Sequence, residues 1–199
     1  MLYTLQKKNI GKASEVLADA FKHDPVWLKL FEGQKKFDEK FRAFFEIPVR
    51  YCMKYGEVYA TSENLEGIAA WIPGHLADMP LWRIIVSGAI GPGLRMGKRP
   101  SKKINPSFEL LQKDREKHMD GRPYIYLQIV GVATRYQRQG YGGKLIRALL
   151  QKCEREKLPI YLETETEENV KMYNRYGFKV LQEIVLPDFG LPMWEMVKG

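Results

Sequence analysis

The run Gln137-Arg138-Gln139-Gly140-Tyr141-Gly142-Gly143-Lys144 combines two kinds of anion-binding group: glycines that let backbone amides approach a ligand closely, and flanking cations. It follows the apolar stretch Tyr124 to Val132, which reads as a buried strand, and opens a stretch in which Leu145, Leu149 and Cys153 recur at helical spacing, with Ile146 and Leu150 beside them. A strand that feeds a glycine-rich turn at a helix start gathers unpaired N–H groups and the positive end of the helix dipole at one point, which suits a phosphate. Two familiar phosphate motifs fail here. A dinucleotide fingerprint needs glycine where Leu145 stands, and a P-loop needs glycine at Arg138 and Ser or Thr at Leu145. Nicotinamide dinucleotide binding is therefore disfavoured.

Further along, Tyr173 is a phenol with an ordinary pKa near 10, able to hold a proton at neutral pH and release it to a departing anion. Met172 and Tyr176 flank it, so the same spacing also fits a core position. Asn169 lies one helical turn earlier and shares its face, while Thr166 can cap that helix. Glu163, at the end of the strand Pro159 to Thr164, is a weak candidate for a general base; Glu57 and Glu66 lie in an earlier hairpin and Gln128 cannot accept a proton. A water chain is the other route. Gly131, inside an otherwise apolar and β-branched strand, suggests a bulge that frees amides from the ladder, or a close packing contact. His23, His75 and His118 are far apart with no ligand spacing, so no metal site is expected.

The elements that would carry these groups alternate. Residues 1–6 read as a strand, and Ile10, Ala13, Leu17, Ala20 and Phe21 as a helix that stops near Asp24-Pro25. Phe37, Phe41, Phe44 and Phe45 begin an aromatic-faced helix running to about residue 54, with a kink at Pro48. Glu57 to Thr61 and Leu65 to Ile72 form a hairpin closed by Pro73-Gly74. Residues 73–122 read as an insertion: a short helix at Leu81 to Val86, a glycine- and proline-marked loop, and a helix from Asn105 to His118. From Tyr124 the order is strand, helix, strand, helix (Glu167 to Tyr176), strand (Gly177 to Leu186), and a last strand at Met193 to Val197 placed at the sheet edge or in its C-terminal half.

A length of 199 residues, 45% hydrophobic and 28% charged, is that of one globular domain spanning 1–199, and the order of its strands and helices reads as α/β. No apolar stretch reaches the roughly 18 residues needed to span a bilayer, the N-terminus lacks a signal-peptide pattern, and Cys52 and Cys153 form no CxxC pair, so a cytoplasmic protein with no membrane association is expected. The net charge of +8 suits an anionic ligand. The basic cluster Arg95, Lys98, Arg99, Lys102 and Lys103 reads as a solvated loop without interleaved aromatics, and nucleic acid is not expected as a partner.

The ordered run from Leu127 to Leu181, with Gln137-x-x-Gly140-x-Gly142 and Tyr173-x-x-x-Gly177-Phe178, resembles the cofactor half of the GCN5-related N-acetyltransferases. The likeness is good over residues 120–186 and rests on element order before that. It implies a mixed, strongly twisted sheet flanked by helices, splayed between two central parallel strands after Val132 and Thr164. It also implies acetyl-CoA as cosubstrate, without a metal. Val130, Gly131 and Val132 would present backbone to the pantetheine arm, and an N–H to the thioester oxygen. Gln137, Arg138, Gln139, Gly140, Tyr141, Gly142, Gly143 and Lys144 would hold the pyrophosphate, Asn169 would reach the pantetheine amides, and Tyr173 would protonate the thiolate. The family's commonest asparagine position corresponds to Thr166 in this chain. The implied activity is acetyl transfer to a primary amine by direct attack, with a small molecule favoured over a protein as acceptor, and with a monomer or homodimer as the working unit. The competing reading is a non-catalytic acyl-CoA-binding module that docks nucleic acid or an acidic partner through the basic loop.

Overall fold

The computed structural model describes all 199 residues. Strands β1 (Tyr3–Thr4), β2 (Glu57–Ala60), β3 (Gly67–Pro73), β4 (Ile125–Val132), β5 (Ile160–Thr164), β6 (Lys179–Leu186) and β7 (Leu191–Lys198) form one sheet in the order β1-β2-β3-β4-β5-β7-β6. All neighbours are antiparallel except β4 and β5. The last strand therefore lies between β5 and β6, inside the sheet, and β6 forms the edge. The β6–β7 hairpin folds back so that the buried run Met193 to Met196 is covered on both sides by strands, while β6 is largely exposed.

Helices cover both faces. On one lie α1 (Ile10–Phe21), α2 (Pro25–Phe31), α3 (Phe37–Tyr55), α4 (Leu81–Val86), α5 (Ile90–Met96) and α6 (Lys98–Met119); on the other lie α7 (Tyr141–Glu156) and α8 (Glu167–Arg175). The Phe31, Phe37, Phe41, Phe44 and Phe45 rings pack edge-to-face or stacked at 4.9–6.1 Å and hold α2 against α3. Pro25 does not end the helical structure there: it is the first residue of α2, where proline's missing N–H costs nothing, and Asp24 caps it by accepting from the amides of Val26 and Trp27.

The basic stretch that reads as a loop is helical. Helix α6 starts at Lys98, before the expected Asn105, because Pro100 falls in its first turn and is tolerated there, and Ile104, Leu111, Arg115 and Met119 turn a continuous face inward. Gly131 does not mark the bulge. It stays in register opposite Ile68, and the extra residue of β4 is Gln128, between Leu127 (opposite Trp71) and Ile129 (opposite Ala70). Gly131 serves close packing instead: a Cβ there would lie 2.9 Å from Ala20 Cβ and 3.0 Å from Leu17 Cδ2 on α1.

Candidate active site

The parallel pair opens almost as soon as it forms. Ile125 pairs with Ile160 and Tyr126 with Tyr161, and there the β4–β5 ladder ends, although β4 continues along β3 to Val132 and β5 along β7 to Thr164. The bulge at Gln128 sits just past the last shared pair, where the added twist bends β4 away from β5. A wedge results, at the carboxyl ends of the two parallel strands, the position at which open α/β sheets receive ligands. The Gln128 Oε1 atom is buried there without a hydrogen-bond partner.

Beyond Val132 the chain makes a 3₁₀ turn and enters the glycine loop. Gln137 is extended, Arg138 takes φ 60°, and Gly140 takes φ 86° at the N-cap of α7. Only glycine holds that conformation without steric cost, and the strain at Arg138 is of the kind that persists at ligand-binding turns. No side chain caps α7, and none of the backbone amides from Arg138 to Gly143 donates to a protein acceptor; the first bonded one is Lys144, to the Gly140 carbonyl. Six unpaired donors at and just before a helix N-terminus make a candidate anion cradle. A Cβ at position 143 would come 2.8 Å from the Tyr176 hydroxyl and 2.9 Å from an Arg147 nitrogen, both at the ends of side chains that can move aside. Lys144 points elsewhere: its Nζ donates to the Thr61 carbonyl at 2.6 Å, fastening α7 to the β2–β3 turn. Arg138 is exposed and free of ion pairs, so it and Arg147 are the cations that flank the cradle.

Tyr173 lies on α8. Its ring is buried at 5% exposure and edge-on to Phe178 at 5.4 Å, in the apolar cluster that also holds Leu127, Leu162 and Trp194. Its hydroxyl bonds to no protein group yet is not sealed from solvent. Burial, then the neighbouring Glu165 charge, holds its pKa well above the ordinary 10. It is a protonated phenol with an unspent donor. Thr166 is the N-cap of α8, its hydroxyl accepting from the Asn169 amide at 3.3 Å; Asn169 lies half-buried in the first turn, one turn before Tyr173.

Glu163 is not brought to the wedge as a free base. Arg115 of α6 pairs with it at 2.7 Å and the Tyr126 hydroxyl donates to its other oxygen, so both carboxylate oxygens are occupied. The carboxylate that sequence reasoning missed is Glu165, just past the end of β5. Burial and the charge of Asp24 push its pKa up to about 8, and Asp24 is itself raised by burial. The signal was its place right after the second parallel strand, hidden in the acidic run Glu163 to Glu168. Two clefts of about 590 and 230 Å³ lie elsewhere, one between α1 and α3 and one beside Trp71 and Tyr124; neither touches the cradle or Tyr173.

Val130 packs toward α7, and a Val132 methyl lies 3.6 Å from where a Gly142 Cβ would stand, so the open edge of β4 leads directly into the cradle. β4 thus runs directly into the glycine loop, while Lys144 is engaged by the Thr61 carbonyl and Glu163 by Arg115 and Tyr126.

Comparisons with known proteins agree with this geometry. The profile of the acetyltransferase (GNAT) family matches residues 108–178. An uncharacterized N-acetyltransferase of Schizosaccharomyces pombe is 30% identical over 189 residues, covering 92% of this chain and 75% of that protein. Among solved structures, an acetyltransferase of Corynebacterium glutamicum described as histone acetyltransferase HPA2 and related acetyltransferase is 22% identical, covers 100% of this chain and 94% of its own, and superposes with a TM-score of 0.67. The arylalkylamine N-acetyltransferase 2 of Aedes aegypti is 16% identical with coverages of 100% and 97% and a TM-score of 0.66. With its splayed parallel pair and glycine cradle, the chain belongs to the GNAT family of acetyl-CoA-dependent acetyltransferases.

Proposed function

We propose that this enzyme acetylates a primary amine of a small molecule by direct attack within the wedge between β4 and β5. The observation that carries the reading is the ladder that stops after Tyr126 and Tyr161, leaving the β4 edge from Leu127 to Val132 without a partner strand and leading it into six unpaired amides at α7. A pantetheine arm is an extended chain with two amides, and it fits such an edge as an added half-strand. A diphosphate fits the cradle, with Arg138 or Arg147 as charge-assisted partners. When bound, acetyl-CoA supplies an activated acyl group and a thiol leaving group.

The chain's own residues do the rest. Backbone at Val130 and Val132 orients the thioester and offers an N–H to its oxygen. Gly131 keeps β4 close to α1, and Asn169 lies on the face of α8 that leads to Tyr173. Tyr173 donates its proton to the leaving thiolate. Glu165, rather than Glu163, takes the proton of the incoming amine, because its oxygens are not committed to an ion pair and its raised pKa matches that role. The adjacent carboxylates Asp24 and Glu165 suit an acceptor that arrives as a cation, and the similarity to an arylalkylamine acetyltransferase is in keeping with a small amine. No observation favours the non-catalytic module.

Isothermal titration with acetyl-CoA, with NADH and ATP as controls, tests the reading. Saturable binding of acetyl-CoA alone is expected. Absence of that binding, in a folded protein, would refute it.

A further inference from the structure

Between Asp78 and Glu109 the chain carries Arg83, Arg95, Lys98, Arg99, Lys102 and Lys103 and no acidic residue at all. The same segment holds most of the molecule's exposed large apolar side chains: Leu81 is 72% exposed, Trp82 58%, Ile85 46%, Val86 52%, Ile90 51% and Leu94 77%. Helix α4 buries none of its residues, although five of its six are apolar. Its Leu81, Trp82, Ile85 and Val86 recur at i, i+1, i+4 and i+5 and so share one face, and Ile90 and Leu94 repeat the i, i+4 spacing on α5. Clustered exposure of this kind on a surface helix marks an interaction site rather than scattered surface apolarity.

The charges choose the partner. Lys98, Arg99 and Lys102 occupy the exposed face of the first turns of α6, directly after α5, and bond to no acidic group of the chain. The Arg83 guanidinium lies over the Trp82 ring at 4.9 Å, which keeps the cation beside the apolar face instead of across it. An apolar face containing tryptophan, edged only by Lys and Arg, is the pattern of helices that lie in a lipid–water interface, with the apolar side chains among the acyl chains and the cations at anionic headgroups. We propose that the α4–α5 face, with the start of α6, attaches this acetyltransferase to an anionic bilayer surface. Such attachment needs no spanning segment, and no helix of the chain is long and apolar enough to cross a membrane.

Co-sedimentation of the full chain with phosphatidylcholine vesicles, with and without phosphatidylserine, tests the proposal. Binding to the phosphatidylserine vesicles should exceed that to neutral ones by roughly tenfold or more, fall steeply with added salt, and blue-shift the emission of Trp82, the one exposed tryptophan. Leu81→Ser/Trp82→Ser/Ile85→Ser should abolish binding with an unchanged thermal melt, because these three side chains are exposed and Ile84, the residue of α4 that packs on the core, is kept; Lys98→Glu/Lys102→Glu should abolish the preference for phosphatidylserine. Equal or absent binding to the two vesicles would overturn the proposal. So would a dimer in sedimentation velocity that the triple substitution dissolves, which would assign the face to a second copy of the chain.

Discussion

Arg115→Met should be among the most destabilising single changes in this protein, and the structure gives its size. The guanidinium, 9% exposed, bonds Glu163 and Asp78 at 2.7 Å each and lies 4.8 Å from the centre of the Tyr126 ring. Glu163, 6% exposed, would keep only the Tyr126 hydroxyl as donor. Removing one partner of a buried pair costs about 3–5 kcal/mol, mostly through the stranded charge. Asp78, 37% exposed, can rehydrate and adds little, about 0–1 kcal/mol, as surface pairs do. Methionine replaces most of the aliphatic stem, so lost packing is a minor part. For a chain of this length each kcal/mol moves Tm by about 2–4 °C, so a fall of roughly 6–20 °C is expected. Urea unfolding of the wild type, Arg115→Met, Glu163→Gln and the double variant measures the coupling. The double variant should be more stable than Arg115→Met, since the neutral amide can still accept from Tyr126. A single-variant loss below about 1 kcal/mol, or a double variant equal to the sum of its parts, would show that Glu163 is not held by this pair.

Tyr173→Phe removes the proposed acid without disturbing the edge contact with Phe178; kcat should fall by about 10²-fold with acetyl-CoA affinity nearly unchanged, and unchanged turnover would end the assignment. Glu165→Gln should lower kcat and remove the inflection near pH 8 from the kcat–pH profile; the base is active when ionised, so wild-type turnover rises with pH through about 8, and an inflection that survives the substitution would assign the proton to another group. Glu195 is fully buried, its Oε1 and the Asp114 Oδ2 both lack a donor, and burial pushes its pKa up to about 7 although the Tyr161 hydroxyl and the His118 ring face its other oxygen. A carboxyl whose folded pKa exceeds its unfolded value near 4.5 favours the folded state at low pH, and that contribution is lost as pH rises from about 4.5 through 7. Glu195→Gln should therefore flatten the stability profile over that range and gain on the order of 1–3 kcal/mol relative to wild type at its upper end; a parallel profile would contradict the raised Glu195 pKa.

Much of the site was legible because its signals are local. The glycine spacing at 140, 142 and 143, the helical recurrence of Leu145, Leu149 and Cys153, and Tyr173 four residues before Gly177 are properties of short windows, and backbone sterics and periodicity turn them directly into a loop, a helix and a turn. The start of the helix at Lys98 was hidden by Gly97 and Pro100, which read as part of a loop although Pro100 lies in the first turn, where proline is tolerated, and Ile104, Leu111 and Arg115 hold the helix by tertiary packing. The second short helix after Asp24 was hidden for the same reason, by a proline at its first position.

What the sequence by itself determined is the order of the strands and of most helices, the glycine turn that opens α7 and the place of Tyr173 on α8 ahead of the Gly177 turn, each specified by residues within about one or two helical turns of one another. What only the tertiary structure decided is which charges are available. Glu163 is neutralised by an arginine 48 positions away, Lys144 is diverted to a carbonyl 83 positions away, and Glu165 acquires its raised pKa from burial beside Asp24. Electrostatic interactions act through space and depend on burial, and neither quantity is written along the chain.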